Sequence, residues 1–218
     1  MRLTARAVLL DMDGTLINSD ASVDRAWSRW AAENGVDPAA VLPHVHGRQA
    51  HATLAMLFPE RPVERNLADN ARMLVWETED TEGIVPVAGA PAFLAALRDG
   101  GVPHALVTSA DRALSKARMD AGGLAIPAAW ITAESVSASK PDPEGFLLAA
   151  AELGVAPADC VVFEDADAGI RAAKAAGMQV VGVGPRAAEL GPTVAVETLE
   201  QVRVAPGPDG GVELRIVS

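Results

Sequence analysis

The chain has 218 residues, of which 50% are apolar and 22% are charged, a balance typical of globular proteins. Its formal charge of −11 argues against nucleic acid as a partner, because an acidic surface repels phosphate backbones. The single cysteine, Cys160, excludes an internal disulfide. No apolar run approaches the roughly 18 residues that cross a bilayer. We therefore expect a cytoplasmic protein, a monomer that binds neither membranes nor nucleic acid.

Short apolar runs recur along the chain, and most are followed by a segment with helical spacing. The runs are rich in Val, Ile and Leu without strict alternation, as in strands that are buried on both faces. This alternation of strands and helices predicts an α/β fold with a Rossmann-like parallel sheet covered on both sides. The predicted strands are residues 6–11, 103–109, 128–134, 160–165, 179–184 and 193–197, and the predicted helices are about 90–99, 111–121, 143–153 and 167–176.

One interval interrupts this alternation soon after the first predicted strand. It contains no convincing strand, and helical spacing is clear in residues 23–35 and 63–79. We interpret it as a small α-helical cap domain inserted into the core. The predicted boundaries are 17–83 for the cap, with 1–16 and 84–218 forming the α/β core.

The end of the chain has a different pattern from the rest. Residues 201–218 read QVRVAPGPDGGVELRIVS, which is two apolar runs around a Pro- and Gly-rich centre. Such a pattern is typical of a β-hairpin. We predict that this hairpin lies at the edge of the parallel sheet.

Polar side chains stand where the predicted strands end. The carboxyl ends of parallel strands share one rim of a sheet, where ligands bind. Converging carboxylates need a cation, and oxygen ligands favour a hard one such as Mg²⁺. An ammonium and a hydroxyl beside it would bind phosphate oxygens, and a free carboxylate could attack phosphorus. The residues are Asp11 and Asp13 after the first strand, Thr108 and Ser109 at the end of the second, Lys140 after the third, and Glu164 and Asp165 at the end of the fourth.

These segments resemble the motifs of a known superfamily. DMDGTLINS, VTS, SKPDPEGF and FEDADAGI are similar, in order and spacing, to the four motifs of the haloacid dehalogenase-like (HAD) phosphohydrolases. The helical interval matches the position of that family's cap. Within the superfamily, the chain resembles the phosphatases of 2-deoxyglucose 6-phosphate, glycerol 3-phosphate and hexitol phosphates. The resemblance implies a sugar or polyol phosphatase that acts on a small phosphorylated metabolite.

The resemblance also implies catalytic roles. Asp11 would attack phosphorus and form an aspartyl-phosphate, and Asp13 would protonate the leaving alcohol and then activate water. Thr108 would bond a phosphoryl oxygen, with the backbone N–H of Ser109 beside it. Lys140 would neutralise Asp11 and the transferring group.

The resemblance implies metal contacts as well. Mg²⁺ would be held by Asp11, the backbone carbonyl of Asp13 and Asp165, with Glu164 binding directly or through water. In the predicted cap, Gly47 and Arg48 belong to a loop that could reach the substrate. The Arg48 guanidinium suits a sugar hydroxyl or a phosphate.

Three other functions share parts of this pattern. A phosphomutase of the β-phosphoglucomutase type has a similar core but carries a histidine where this chain has Val23, which favours hydrolysis. A 2-haloacid dehalogenase lacks the second aspartate, so Asp13 argues against it. A phospho-receiver signalling domain is about half this length and has no helical insert.

Overall fold

A computed structural model describes residues 1–207 and 210–217 of the chain. A six-stranded parallel sheet lies at its centre, in the order β6-β5-β2-β7-β8-β9. The strands are β1 (Arg2–Ala5), β2 (Ala7–Leu10), β3 (Ile17–Asn18), β4 (Val85–Pro86), β5 (His104–Val107), β6 (Ala129–Ile131), β7 (Cys160–Glu164), β8 (Gln179–Val183), β9 (Val194–Val196), β10 (Val202–Pro206) and β11 (Val212–Ile216). The helices are α1 (Asp20–Asn34), α2 (Ala50–Leu57), α3 (Val63–Glu79), α4 (Ala90–Asp99), α5 (Arg112–Ala121), α6 (Glu144–Glu152) and α7 (Asp167–Ala175).

The parallel sheet is buried on both faces, which explains its continuous apolar strands. Successive residues of a strand point to opposite faces. Val8 and Leu10 of β2 accordingly belong to one core cluster with residues of α4 and α5, whereas Leu9 belongs to a second cluster with residues of α6 and α7. The prediction of an α/β fold with a sheet covered on both sides is confirmed.

The C-terminal hairpin is present, but its predicted position was wrong. β10 and β11 pair antiparallel, and β11 pairs with β1 in a separate three-stranded sheet, not with the edge of the parallel sheet. The reason is the pattern of burial: Leu3 and Ala5 of β1 face the core, as do Val212 and Leu214 of β11. Strands with one buried and one solvated face suit an antiparallel sheet, whereas the strands of a parallel sheet are buried on both faces. Part of the predicted turn lies outside the described residues.

The helices α1, α2 and α3 come between β3 and β4 in the sequence and share an apolar core of their own. Trp27 and Trp30 of α1 pack there edge to face, with centroids 5.7 Å apart, against Leu54 of α2 and Met73 of α3. We call residues 19–80 the helical segment. β3 and β4, which flank it, pair antiparallel with each other. The predicted cap boundaries at 17 and 83 stay a prediction.

Across the part of the chain that the structure describes, no helix combines the length and apolar character needed to cross a bilayer.

Candidate active site

The carboxyl end of β2 places Asp11 at the centre of the site. Its backbone N–H donates to the carbonyl of Phe163 on β7, 3.0 Å away. Lys140 Nζ donates to Asp11 Oδ1 at 2.5 Å and to Glu164 Oε1 at 2.8 Å. All three charged side chains are buried. Burial raises the pKa of Asp11 well above its ordinary value, although the Lys140 ammonium opposes this shift.

Three buried carboxylates converge at this point. Asp11, Glu164 and Asp165 each place an oxygen within 4.8 Å of those of the other two. Burial, together with the neighbouring Glu164, raises the pKa of Asp165 to about 7. Asp165 Oδ1 is buried and accepts no hydrogen bond from the residues the structure describes. An all-oxygen set with an unpartnered carboxylate oxygen fits a hard divalent cation such as Mg²⁺.

Two glycines leave the space that these carboxylates occupy. Gly14 has φ +83°, and a Cβ there would lie 2.1 Å from Asp165 Oδ2. A Cβ at Gly169 on α7 would lie 1.6 Å from Glu164 Oε1. Any side chain at either position would displace a carboxylate of the cluster. Sequence reasoning did not single out these glycines, because their role depends on the close approach of distant segments.

Asp13 is held at both carboxylate oxygens. Ser19 Oγ donates to Oδ1 at 2.6 Å, and Arg118 Nη1 lies 2.9 Å from Oδ2. Arg118 also donates through Nη2 to Glu77 Oε2 at 2.6 Å. Sequence reasoning missed Arg118 and Glu77. A signal existed for Arg118, which is four residues after Leu114 and therefore lies on the apolar face of α5.

The end of β5 supplies the predicted phosphate contacts. Thr108 is buried, and its Oγ1 accepts a hydrogen bond from the Ala110 N–H at 3.1 Å. Among the described residues this hydroxyl donates no hydrogen bond, so its proton is available to an anion. Ser109 Oγ donates to the carbonyl of Gly47 at 3.4 Å, which joins the strand end to the helical segment.

The loop before α2 lies over this rim of the sheet. Gly47 has φ +77°, and a Cβ there would lie 2.5 Å from the Cβ of Ala166. Arg48 contacts Met56 Sδ through Nη1 at 2.8 Å, and its Nη2 lies 3.7 Å from Asp167 Oδ2. Neither contact uses up the hydrogen-bonding capacity of the guanidinium.

A cleft that is open to solvent separates the strand ends from the helical segment. Lys140, Glu164 and Asp165 are buried at the strand ends and do not line the cleft. Val23, Glu77 and Arg118 are part of its wall. The predicted site residues that line the cleft are Asp11, Asp13, Gly47, Arg48, Thr108 and Ser109.

Known proteins share this sequence and architecture. Hexitol phosphatase A of Escherichia coli is 39% identical over 215 residues, covering 96% of this chain and 99% of that protein. Validoxylamine A 7'-phosphate phosphatase of Streptomyces hygroscopicus subsp. limoneus is 38% identical, covering 82% and 85%. The crystal structure of β-phosphoglucomutase from Clostridium difficile superposes with a TM-score of 0.79 over 91% of this chain and 93% of that one. At 21% identity it shows a shared fold.

The family assignment rests on the sequence match and agrees with the geometry. The pattern of the haloacid dehalogenase-like hydrolases matches residues 5–177, which include every predicted site residue. The matched region begins in β1 and ends just after α7, so it contains the strand ends that carry the carboxylates and the lysine. The chain belongs to the haloacid dehalogenase-like hydrolase family.

Proposed function

We propose that this hydrolase is a Mg²⁺-dependent phosphatase of small sugar or polyol phosphates that works through an aspartyl-phosphate on Asp11. The chain is a phosphoric monoester hydrolase, as are its curated relatives. One observation supports Asp11 as the nucleophile. Asp11 lines the cleft with its Oδ1 held by Lys140, and among the described residues its Oδ2 accepts no hydrogen bond. Oδ2 is therefore the oxygen that attacks phosphorus.

The surrounding residues support the two chemical steps. Asp11 Oδ2 forms a bond to phosphorus as the bond to the leaving alcohol breaks, while Lys140 and the Thr108 hydroxyl offset the charge of the phosphoryl group. Asp13 donates its proton to the departing alcohol and then takes a proton from the water that cleaves the aspartyl-phosphate. Mg²⁺, held by Asp11, Asp165, Glu164 and the Asp13 carbonyl, would supply further positive charge at the phosphate.

The substrate class follows from the cleft and from the relatives. The relatives are named for hexitols and for the 7'-phosphate of validoxylamine A, and a hexitol carries several hydroxyls. The cleft wall of this chain includes the polar side chains of Gln49, Asn70 and Glu77. Amide and carboxylate groups of this kind bind hydroxyls.

Water is the proposed phosphoryl acceptor. Val23 lines the cleft and is 8% exposed, and its side chain can neither donate nor accept a proton. A phosphomutase with the same core would need to return phosphate to a second sugar hydroxyl. The same cleft and insert argue against a phospho-receiver domain.

The test is phosphate release from a panel of hexitol, hexose, 2-deoxyhexose and glycerol phosphates, with Mg²⁺ or with EDTA. We expect multiple turnovers that need Mg²⁺, with inorganic phosphate as the product. Asp11→Asn should abolish turnover, whereas Asp99→Asn, an exposed aspartate at the end of α4, should not change it. Isomerised sugar phosphate without phosphate release would identify a phosphomutase. Undiminished turnover by Asp11→Asn would exclude this residue as the nucleophile.

A further inference from the structure

Arg118 lies in an unusual environment for an arginine. It is on α5 and only 3% exposed, although arginines are rarely buried unless paired. Its two partners come from different parts of the fold: Asp13 follows β2, and Glu77 is in the last turn of α3 in the helical segment. Although burial opposes it, the charges of Asp13 and Glu77 raise the pKa of Arg118. The guanidinium is therefore a permanent cation between two carboxylates.

An ion pair and a charged hydrogen bond fix the orientation of this cation. Nη1 and Nη2 bind one carboxylate each, and Nε is buried without an acceptor among the residues that the structure describes. An unpaired buried N–H is unfavourable. The two charged contacts must outweigh this loss, and a planar guanidinium makes both only in a narrow range of orientations.

The same contacts fix the Asp13 carboxylate. Arg118 forms an ion pair with Oδ2 and the Ser19 hydroxyl donates to Oδ1, so rotation of the carboxylate would break the ion pair at one oxygen and the hydrogen bond at the other. Proton transfer depends strongly on the placement of the transferring group, and a displacement of about 1 Å can lower a rate about 100-fold. Ser19 alone would leave Oδ2 free to move.

We propose that Arg118 is a positioning residue that orients Asp13 for proton transfer, and that Glu77 holds Arg118 in place. The inference rests on the proposed function of Asp13. Since Glu77 belongs to the helical segment, the arrangement joins that segment to the proton-transfer group at the sheet. Arg118 acts through Asp13, so its contribution to the rate should vanish when Asp13 can no longer transfer a proton.

A double-mutant cycle tests this dependence. Steady-state phosphate release from a hexitol phosphate is measured for Arg118→Gln and Asp13→Asn, alone and combined. We expect Arg118→Gln to lower kcat by about 10- to 100-fold with KM changed less than about threefold, since a misplaced catalytic group chiefly slows the chemical step. In the Asp13→Asn background, Arg118→Gln should cause no further loss. An equal loss in both backgrounds would overturn the proposal, because it would show that Arg118 acts independently of Asp13.

Two further variants keep the test decisive if Arg118→Gln does not fold. Arg118→Lys retains the charge but cannot reach both carboxylates with a planar fork, and Glu77→Gln retains the shape of Glu77. Each should lower kcat in the wild-type background and not in the Asp13→Asn background. Wild-type kcat in both variants would also overturn the proposal.

A matched control separates positioning from general stability. Arg61 is another arginine with a buried carboxylate partner, Asp69, but both are in the helical segment and neither lines the cleft. Arg61→Gln should lower the unfolding temperature and leave kcat unchanged. If the wild-type chain released no phosphate at all, the proposed function would fail; if it did and the cycle were additive, only the positioning role would fail.

Discussion

Gly14→Ala is the substitution that most directly tests the carboxylate cluster. Two penalties follow from the structure. An L-residue at φ +83° costs roughly 1–2 kcal/mol of folding free energy. The new Cβ would lie 2.1 Å from Asp165 Oδ2 and 2.3 Å from its carboxyl carbon, so Asp165 must move, and such overpacking adds about 1–3 kcal/mol.

Gly83→Ala is the matched control for the first penalty. Gly83 has φ +76°, and a Cβ there would have no heavy atom within 4 Å apart from its chain neighbours. This variant should lose roughly 1–2 kcal/mol, a fall in the unfolding temperature of about 2–8 °C for a chain of this size. Gly14→Ala should lose more than the control, and the difference measures the displacement of Asp165.

Mg²⁺ binding is the second measurement that distinguishes Gly14→Ala from Gly83→Ala. If Asp165 is a ligand, its displacement should weaken Mg²⁺ binding about 10- to 100-fold, as misoriented ligands do. Gly83→Ala should bind Mg²⁺ like the wild type. Isothermal titration calorimetry with Mg²⁺ and thermal unfolding measure the two effects separately. Wild-type Mg²⁺ affinity in Gly14→Ala would refute the assignment of Asp165 as a metal ligand.

Three further predictions concern buried charges and the thiol. Lys140→Met leaves the Asp11 and Glu164 carboxylates facing each other, so without metal the variant should lose about 3–5 kcal/mol of folding free energy. Mg²⁺ should then raise the unfolding temperature of the variant more than that of the wild type, and an equal rise would contradict this. Asp69→Ala should cost about 3 kcal/mol at neutral pH in urea unfolding. Although burial opposes it, hydrogen bonds from an indole and a guanidinium lower the pKa of Asp69. This stabilisation is complete above the ordinary Asp pKa of about 3.9 and is lost as the pH falls through the lowered value, so the difference from the wild type should shrink in acid and not in base. Burial raises the pKa of the Cys160 thiol to about 11, so the native chain should not react with a thiol reagent at about pH 8, whereas the unfolded chain should; rapid labelling of the native chain would show that Cys160 is accessible.

The parallel sheet could be predicted from sequence because its strands are short apolar runs with polar residues at their ends. The predicted strand 160–165 and the observed β7, Cys160–Glu164, differ by one residue. The strand ends also located Asp11, Lys140 and Glu164, since a parallel sheet brings them to one rim. Their catalytic roles stay a prediction.

Other features depend on contacts that no local pattern contains. β1 has only four residues, and its alternation becomes meaningful only beside β11. Arg118 was missed because a helical pattern predicts which face is buried but not which carboxylates meet it there, and Glu77 is 41 positions away in the chain. Position 14 likewise needs glycine because the fold places Asp165 next to it, and Asp165 is far away in the sequence.

The pairing of β3 with β4 has a consequence for how the helical segment is connected to the rest of the fold. Ile17 lies opposite Pro86 and Asn18 opposite Val85, so the chain enters and leaves the helical segment at neighbouring points. Whatever sequence connects these points, the strands that carry the acidic residues keep their positions. The connecting stretch can therefore be shortened or redesigned without moving the strand ends, provided that Ser19 and Glu77, which contact Asp13 and Arg118, are kept.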